Sequence, residues 1–281
     1  MKLRYGLYLP NFGKSAEPTV LASMAVEAEK AGWDGFFLWD HLVEWAHSVP
    51  LYDAFTSLAA IAVKTKRIRI GTTVTPLPRL QPWTAARQTA SLDHLSNGRF
   101  VLGVGLGGKE SCDYRRFGEV DDYKVLAEKL EESLDIITGL WTGKPFQYNG
   151  KHYHVQAGIF LPRPKQEPRI PIWVGGFWPR KPPFRRAAKW DGIIPIMYPG
   201  NLMKPKDLGE VVKFVKSIRG NEPFDVVNIG WTTGVKRRKD SQKVNLFAEK
   251  GMNWWLESLY TKRDSPEKMK KRIQLGPPEL P

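Results

Sequence analysis

The chain has 281 residues, about the length of one α/β barrel, and its 43 Lys and Arg outnumber its 29 Asp and Glu to give a formal net charge of +14. No apolar run approaches the roughly 20 residues that a bilayer-spanning helix needs, and the single cysteine excludes an intramolecular disulfide and a cysteine metal cage. These features exclude a membrane-spanning protein and predict one domain over residues 1–281, located in the cytoplasm.

Short apolar runs that predict buried strands alternate with helical patterns along the chain. The predicted strands, in chain order, are Arg4–Pro10, Gly35–Trp39, Arg67–Thr75, Phe100–Gly108 with its closing glycines, Ile170–Val174, Ile193–Met197, Asp225–Thr233 and Met252–Leu256. The predicted helices are Leu21–Ala31, Phe55–Val63, Trp83–Ala90, Leu126–Ile137, Phe184–Trp190, Leu208–Ile218 and Val244–Glu249. Prolines at positions 18 and 82 mark helix starts, because a proline in the first turn costs no hydrogen bond.

About eight alternations of strand and helix are the pattern of parallel β/α units, and they favour closure into a (β/α)8 TIM barrel over an open sheet. Residues 145–169 break the alternation with a hairpin signal at Asn149-Gly150 and three prolines. We predict that they form an insertion over the barrel, between the fourth helix and the fifth strand. Residues 262–281 are predicted to be a basic C-terminal tail.

The glycine run after the fourth strand spells G-x-G-x-x-G at Gly103, Gly105 and Gly108. One interpretation is the strand end of a barrel, where backbone passes close to a flavin-type cofactor. A second is the dinucleotide-binding turn of a Rossmann-type NAD(P)-dependent dehydrogenase, although that fingerprint belongs on the first strand of its unit. A third is that the glycines serve only a tight turn.

Functional groups of a barrel lie just after the strands, and three groups there are candidates. Asp40-His41 could hold a proton donor or acceptor, since the free pKa of histidine is about 6.5, although Asp40 and His41 point opposite ways in an extended chain. Thr73-Val74-Thr75 precedes a proline and could carry a bulge. Gly175-Gly176, with Arg180 close by, could cradle an anion. The alternatives are a surface histidine, an ordinary strand and a plain turn.

Other reactive residues give weaker signals. His152 and His154 would share a strand face but lack a third ligand, so no metal is expected. Cys112 is expected to be a packed thiol. Glu110 lies in the loop after the glycine run and could reach the mouth of the pocket. The basic clusters lack interleaved aromatic residues, so we expect no nucleic-acid partner.

Five sequence motifs, in this order and spacing, resemble those of the bacterial-luciferase-like flavin- or deazaflavin-dependent oxidoreductases. They are Ala31–Gly35 leading to Asp40-His41, Ile70–Pro76, Leu92–Arg99 leading into the glycine run, Pro171–Gly176, and Arg185–Gly192. The resemblance runs from the first strand to about Met197, and more loosely to Trp254–Leu256.

This resemblance implies a luciferase-like (β/α)8 barrel with a flavin or deazaflavin ring across the carboxyl ends of the strands. It implies a non-proline cis peptide at Thr73–Val74 and a cofactor phosphate on Gly175-Gly176, assisted by Arg180 or Arg185. The residues assigned to the cofactor are Tyr8, Asp40, Thr73, Val74, Gly105, Gly107, Gly175, Gly176 and Arg180. The residues assigned to catalysis are His41 and Glu110, although Gly108 and Lys109 separate Glu110 from the position that an acid occupies in the deazaflavin sugar-phosphate dehydrogenases.

The resemblance further implies hydride transfer or monooxygenation of a small organic substrate. The cofactor is expected to be FMN or a deazaflavin coenzyme of the F420 type, with FMN favoured, and the protein is expected to form a homodimer. Besides the Rossmann-type dehydrogenase, a non-catalytic barrel that binds a ligand and a basic nucleic-acid-binding protein remain alternatives.

Overall fold

The computed structural model describes residues 2–43, 49–108, 113–198, 200–260 and 265–278. The strands are β1 (Arg4–Leu9), β2 (Gly35–Leu38), β3 (Arg69–Thr72), β4 (Thr75–Pro76), β5 (Phe100–Gly105), β6 (Phe146–Asn149), β7 (His154–Gly158), β8 (Ile172–Trp178), β9 (Gly192–Met197), β10 (Asp225–Gly230) and β11 (Trp254–Ser258). The α-helices are α1 (Pro18–Lys30), α2 (Ala54–Lys64), α3 (Pro82–Leu95), α4 (Tyr123–Trp141), α5 (Pro182–Ala187), α6 (Pro205–Arg219), α7 (Arg237–Ala248) and α8 (Pro266–Gln274).

Eight parallel strands close into a barrel. Their order is β3-β2-β1-β11-β10-β9-β8-β5, and the pairing of β3 with β5 closes the ring. The predicted (β/α)8 barrel is therefore confirmed. The Rossmann-type alternative is wrong, because Gly103 and Gly105 lie on the fourth strand of a closed barrel and not on the first strand of an open sheet.

The helices begin where the sequence provides a start signal. Pro18 and Pro82 open α1 and α3, as predicted, and α5, α6 and α8 also begin with proline. The side chain of Asp53 caps α2 by accepting a hydrogen bond from Thr56 N at 2.6 Å. Within the described ranges, no helix has the length and hydropathy to cross a membrane.

Side chains of the strands divide between two cores, because successive residues of a strand point to opposite faces. On β2, Phe36 and Leu38 pack outward with the helices, whereas Phe37 points into the barrel. Inside, the rings of Phe37, Trp173 and Trp254 contact one another with centroid separations of 5.1 to 5.6 Å. We call these three rings the aromatic plug. A Cβ at Gly35 would lie 2.4 Å from the Phe37 ring, so this glycine makes room for the plug.

The predicted insertion forms the antiparallel hairpin β6–β7 and a following extended segment. The Glu132 carboxylate on α4 accepts hydrogen bonds from the main-chain N–H groups of Lys151, His152 and Tyr153 at 2.9 to 3.2 Å. Asp93 on α3 accepts two more from the main chain of residues 165 and 166. The insertion thus lies against the helices α3 and α4.

Several strand boundaries also differ from prediction; β3, β5 and β10, for example, end at Thr72, Gly105 and Gly230, about three residues earlier than predicted. The strand predicted to end at Val174 continues to Trp178, so Gly175 and Gly176 are strand residues that pair with Ile194 and Pro195 of β9. The last strand begins at Trp254, two residues later than Met252.

The predicted C-terminal tail contains a packed helix. On α8, Arg272 is 2% exposed and its Nε lies 3.3 Å from Oε1 of the fully buried Glu257 on β11. Trp33, which follows α1, donates from Nε1 to the carbonyl oxygen of Ile273 at 2.9 Å. These contacts join α8 to the last barrel strand and to the loop between α1 and β2.

Candidate active site

The carboxyl ends of the barrel strands surround an opening that we call the barrel mouth. Its floor includes Val74, which a cis peptide bond joins to Thr73, as the resemblance predicted. The Val74 side chain lies between two glycines: a Cβ on Gly105 would be 2.7 Å from Val74 Cγ2, and one on Gly175 would be 3.0 Å from Cγ1. Val74, Tyr8 and Ile229 pack on the aromatic plug beneath them. Burial raises the pKa of Tyr8, so its phenol stays neutral. The floor is therefore mostly apolar.

The glycine run continues beside this floor. Gly107 has φ of +75°, and a Cβ there would lie 3.1 Å from both Pro76 Cβ and Tyr114 Cε2. Tyr114 is 3% exposed and donates from its hydroxyl to the carbonyl oxygen of Leu106 at 2.7 Å. Gly107 thus lies between β4 and Tyr114, and both its positive φ and this close packing favour glycine at the position.

Asp40 is buried beside the floor, where two side chains bind its carboxylate. Thr75 Oγ1 donates to Oδ2 at 2.8 Å, and Arg79 donates from Nη2 to Oδ1 and from Nη1 to the Asp40 carbonyl oxygen. Burial raises the pKa of Asp40, although the charge of Arg79 and the hydrogen bond from Thr75 oppose that rise. Asp40 therefore fixes Thr75 and Arg79 and does not orient His41.

His41 is oriented instead by Asp113, which the sequence interpretation missed. Nδ1 of His41 lies 3.2 Å from Oδ2 of Asp113, whose Oδ1 accepts from Leu42 N at 3.0 Å. Arg79 Nη1 lies 3.9 Å from the same Oδ2. Burial alone would raise the pKa of Asp113, but the hydrogen bonds from His41 and Leu42 and the charge of Arg79 lower it below its ordinary value. Asp113 is therefore an ionised carboxylate that accepts a hydrogen bond from His41 Nδ1.

The main chain of His41 is fixed by Asn11, which follows β1 and is fully buried. Asn11 Oδ1 accepts from His41 N at 3.2 Å, and Nδ2 donates to the carbonyl oxygens of His41 and Tyr52 at 2.9 and 2.8 Å. The imidazole itself is 23% exposed. His41 is thus held rigidly while part of its ring faces the mouth.

Aromatic rings line the mouth next to His41. Trp39 lies 5.9 Å from the His41 ring and 4.9 Å from Tyr260 between centroids, and Phe12 lies within 6.2 Å of both His41 and Tyr260. Nε1 of Trp39 is buried and has no hydrogen-bond partner among the described residues. We call Phe12, Trp39 and Tyr260 the aromatic wall.

The predicted site residues divide into three groups. Those gathered at the mouth are Tyr8, Asp40, His41, Thr73, Val74, Gly105, Gly107 and Gly175. Gly176 packs against α5, where its Cβ would lie 2.4 Å from Pro183 Cβ, and the exposed Arg180 stacks on Tyr198 at 4.5 Å. Glu110 and Cys112 lie outside the described residues.

The residues that the sequence did not reveal are Asp113, Arg79 and the aromatic wall. Asp113 lies in the same loop as Glu110, after the fourth barrel strand, and that position was its only signal. His152 and His154 have separate partners, Glu128 and Asn149, and no group of metal-ligating residues occurs in the described part of the chain.

A closed parallel barrel with a buried polar cluster at the carboxyl ends of its strands defines a TIM-barrel protein with its site in the usual place. Residues 4–204 match the family model described as luciferase-like monooxygenase. Because this match covers most of the chain, the chain belongs to that family.

Among curated relatives, the F420-dependent glucose-6-phosphate dehydrogenase of Nakamurella multipartita is 35% identical over 165 residues, which are 58% of this chain and 48% of the relative. The chain thus spans about half the length of the curated relatives it matches. Among solved structures, an F420-dependent secondary alcohol dehydrogenase in complex with an F420–acetone adduct has a TM-score of 0.81 at 18% identity, covering 98% of this chain and 97% of that one. The FMN-bound oxygenating constituent of 3,6-diketocamphane monooxygenase from Pseudomonas putida has a TM-score of 0.75 at 17% identity, covering 98% and 96%. These likenesses support the same fold.

Proposed function

We propose that the protein is an oxidoreductase that binds a deazaflavin coenzyme of the F420 type at the barrel mouth and acts on a small organic substrate, with His41 as the proton acceptor or donor. The observation that carries this proposal is the His41–Asp113 pair beside the Val74 floor. An imidazole held by a buried carboxylate at the carboxyl ends of barrel strands suits acid–base chemistry.

The residues at the mouth fit a flat conjugated ring. Tyr8, Val74 and Ile229 offer an apolar floor against which one face of such a ring can pack. The buried Nε1 of Trp39, which has no partner among the described residues, offers a donor to a ring heteroatom. We propose that the phosphate-bearing side of the coenzyme extends along β8 towards Arg180.

The choice of a deazaflavin replaces the preference for FMN that the sequence suggested. Its support is that seven similar curated relatives, at 32–36% identity, are named F420-dependent. FMN with monooxygenation remains the second candidate, supported by the family model and by the fold of the FMN-bound oxygenase.

When bound, the coenzyme supplies an acceptor or donor of hydride. Because Asp113 is ionised and accepts the hydrogen bond, the proton of neutral His41 resides on Nδ1 and the lone pair on Nε2. Nε2 can then take the hydroxyl proton of an alcohol, or return it to the oxygen of a carbonyl compound. Asn11 keeps this ring in place by fixing the His41 main chain. Glu110 stays a predicted second acid.

The test is an absorbance titration of the purified protein with the deazaflavin coenzyme and, separately, with FMN. We expect saturable binding of the deazaflavin, and oxidation of an alcohol that falls by about 10²-fold or more in His41→Asn while the coenzyme still binds. His94→Asn, on the outer helix α3, is the matched control and should keep wild-type turnover. Binding of neither coenzyme would contradict the proposal, and coenzyme binding without turnover of any substrate would favour the non-catalytic barrel.

The expected homodimer and the expected absence of a nucleic-acid partner stay predictions. We propose to test them by the molar mass in solution and by retention on DNA at physiological salt, where a nucleic-acid-binding protein would be held in a salt-sensitive way.

A further inference from the structure

The aromatic wall is a rigid surface beside the reactive imidazole. Phe12 is held by a strand-like bridge to Leu51, and Gly13 N donates to the carbonyl oxygen of Pro50 at 2.8 Å. Trp39 contacts Tyr8 of the floor at 5.1 Å between ring centroids and Tyr260 at 4.9 Å. The wall therefore continues the apolar floor upwards, next to His41.

The three rings differ in burial in a way that suits a ligand surface. Phe12 is 7% exposed and supports the wall from behind, whereas Trp39 and Tyr260 are partly exposed. Large rings with few rotatable bonds lose little entropy when a ligand packs on them. The exposed parts of Trp39 and Tyr260 therefore offer contact area at low entropic cost.

The described charges beneath the wall are paired with one another and do not favour an anionic ligand. Among the described residues, Arg79 is the cation that contacts Asp40 and Asp113, and its side chain is 5% exposed. Its two terminal nitrogens face Asp40 and Asp113. In the part of the chain that the structure describes, the two carboxyl groups thus engage the terminal nitrogens of this one guanidinium, and none is left free for a ligand. A phosphate dianion placed here would lose hydration without gaining a free cation from the described ranges.

We infer that the substrate of this site is a neutral organic molecule that packs an apolar group, best an aromatic one, on Trp39 and Tyr260 and places its reacting oxygen at Nε2 of His41. This inference rests on the proposed function. A neutral aromatic substrate would differ from glucose 6-phosphate, which appears in the names of similar curated relatives. An aryl ketone or aryl alcohol fits these surfaces, since its ring matches the wall and its single oxygen matches the single imidazole.

Equilibrium binding tests this inference without turnover. Acetophenone, glucose and glucose 6-phosphate would each be titrated into the protein, with and without coenzyme, and followed by ligand-observed NMR saturation transfer. The variants are Tyr260→Ala, Tyr260→Phe and, as a matched control, Tyr148→Ala on the outer hairpin. Circular dichroism would check that each variant is folded.

We expect saturable binding of acetophenone to the wild type, weakened about five- to tenfold in Tyr260→Ala and unchanged in Tyr260→Phe and Tyr148→Ala, because the aromatic contact and not the hydroxyl is lost. Glucose 6-phosphate should not bind saturably, and glucose should bind more weakly than acetophenone. Tighter binding of glucose 6-phosphate than acetophenone, absence of acetophenone binding, or wild-type acetophenone binding in Tyr260→Ala would each overturn the inference. Failure of the coenzyme titration alone would overturn the proposed function and leave the ligand result standing.

Discussion

Oδ2 of Asp113 lies 3.2 Å from Nδ1 of His41, although 72 residues separate the two along the chain. The carboxylate is 1% exposed and also accepts from the main chain of Leu42. Asp113 therefore fixes both the tautomer of the imidazole and the loop that carries it. This relationship gives the first two predictions.

The Asp113→Asn substitution should lower kcat by about 10²-fold, because an amide no longer stabilises the imidazolium or enforces the Nδ1–H tautomer. Coenzyme affinity should stay at the wild-type value, since Asp113 lies on the imidazole side of the cluster. Turnover of an alcohol substrate and the absorbance titration measure the two quantities. Asp207→Asn at the start of α6 is the matched control. A wild-type kcat in Asp113→Asn would show that the pair has no part in the chemistry.

The lowered pKa of Asp113 predicts a loss of stability in acid. A carboxyl whose pKa is lower in the folded than in the unfolded protein stabilises the fold above its unfolded pKa, here 3.8, and this contribution disappears as pH falls through the lower folded pKa. The urea midpoint of the wild type should therefore fall towards that of Asp113→Asn between about pH 5 and pH 2.5. Parallel pH profiles of the two proteins would contradict the assignment.

The Gly105→Ala substitution should weaken coenzyme binding while leaving the barrel folded. The added Cβ would lie 2.7 Å from Val74 Cγ2, so Val74 must shift out of the floor, at a cost of about 1–3 kcal/mol in unfolding free energy. We expect the coenzyme dissociation constant to rise about tenfold or more, measured by absorbance. Gly209→Ala on α6, where the nearest atom is a flexible Lys250 carbon at 3.5 Å, should change neither quantity adversely. Equal coenzyme affinity in both variants would contradict the proposed floor.

The Arg272→Ala substitution should destabilise the protein by about 3 kcal/mol or more, because it leaves the carboxylate of Glu257 buried without its guanidinium. Chemical denaturation measures the loss in unfolding free energy. Lys271→Ala, an exposed neighbour on the same helix, should change it by less than about 0.5 kcal/mol. A similar small effect at both positions would mean that α8 is not fastened through Glu257.

The Glu132→Ala substitution should loosen the hairpin without affecting the mouth. It removes the acceptor of three main-chain N–H groups, so hydrogen exchange of Lys151, His152 and Tyr153 should accelerate, and stability should fall by about 1–3 kcal/mol. Coenzyme affinity should be that of the wild type, because the hairpin lies against the outside of α4. Unchanged exchange at these three amides would contradict the observed attachment. Glu210→Ala, exposed on α6, is the control.

The fold could be predicted from the sequence because each barrel strand has a local apolar pattern. Apolar runs of four to seven residues alternate with helices, several of which begin with proline, and this alternation predicts parallel β/α units whatever the remote contacts are. The strand boundary at Gly175 was missed because glycine normally weakens a strand. Here the pairing of Gly175 with Ile194 overrides that local preference, and the Val74 side chain explains the missing Cβ.

The site was only partly accessible, for a physical reason. His41 and the Thr73–Val74 segment could be placed because they end predicted strands. The partner of His41 could not be placed, because Asp113 lies 72 residues further along the chain and follows no predicted strand directly. Tyr260 joins the wall from the end of the last strand, more than two hundred residues from Trp39 in sequence, and no local pattern reports such a meeting.

The pairing of β1 with β11 bears on how the protein is made. Arg4 pairs with Trp254, and a neighbouring hydrogen bond joins Trp33 to Ile273 across 240 residues. On the ribosome, β1 must wait with one edge unpaired until the residues of β11 have emerged. Closure of the ring thus has to wait for β11, and a translation product that stops before this strand would expose that edge to other chains.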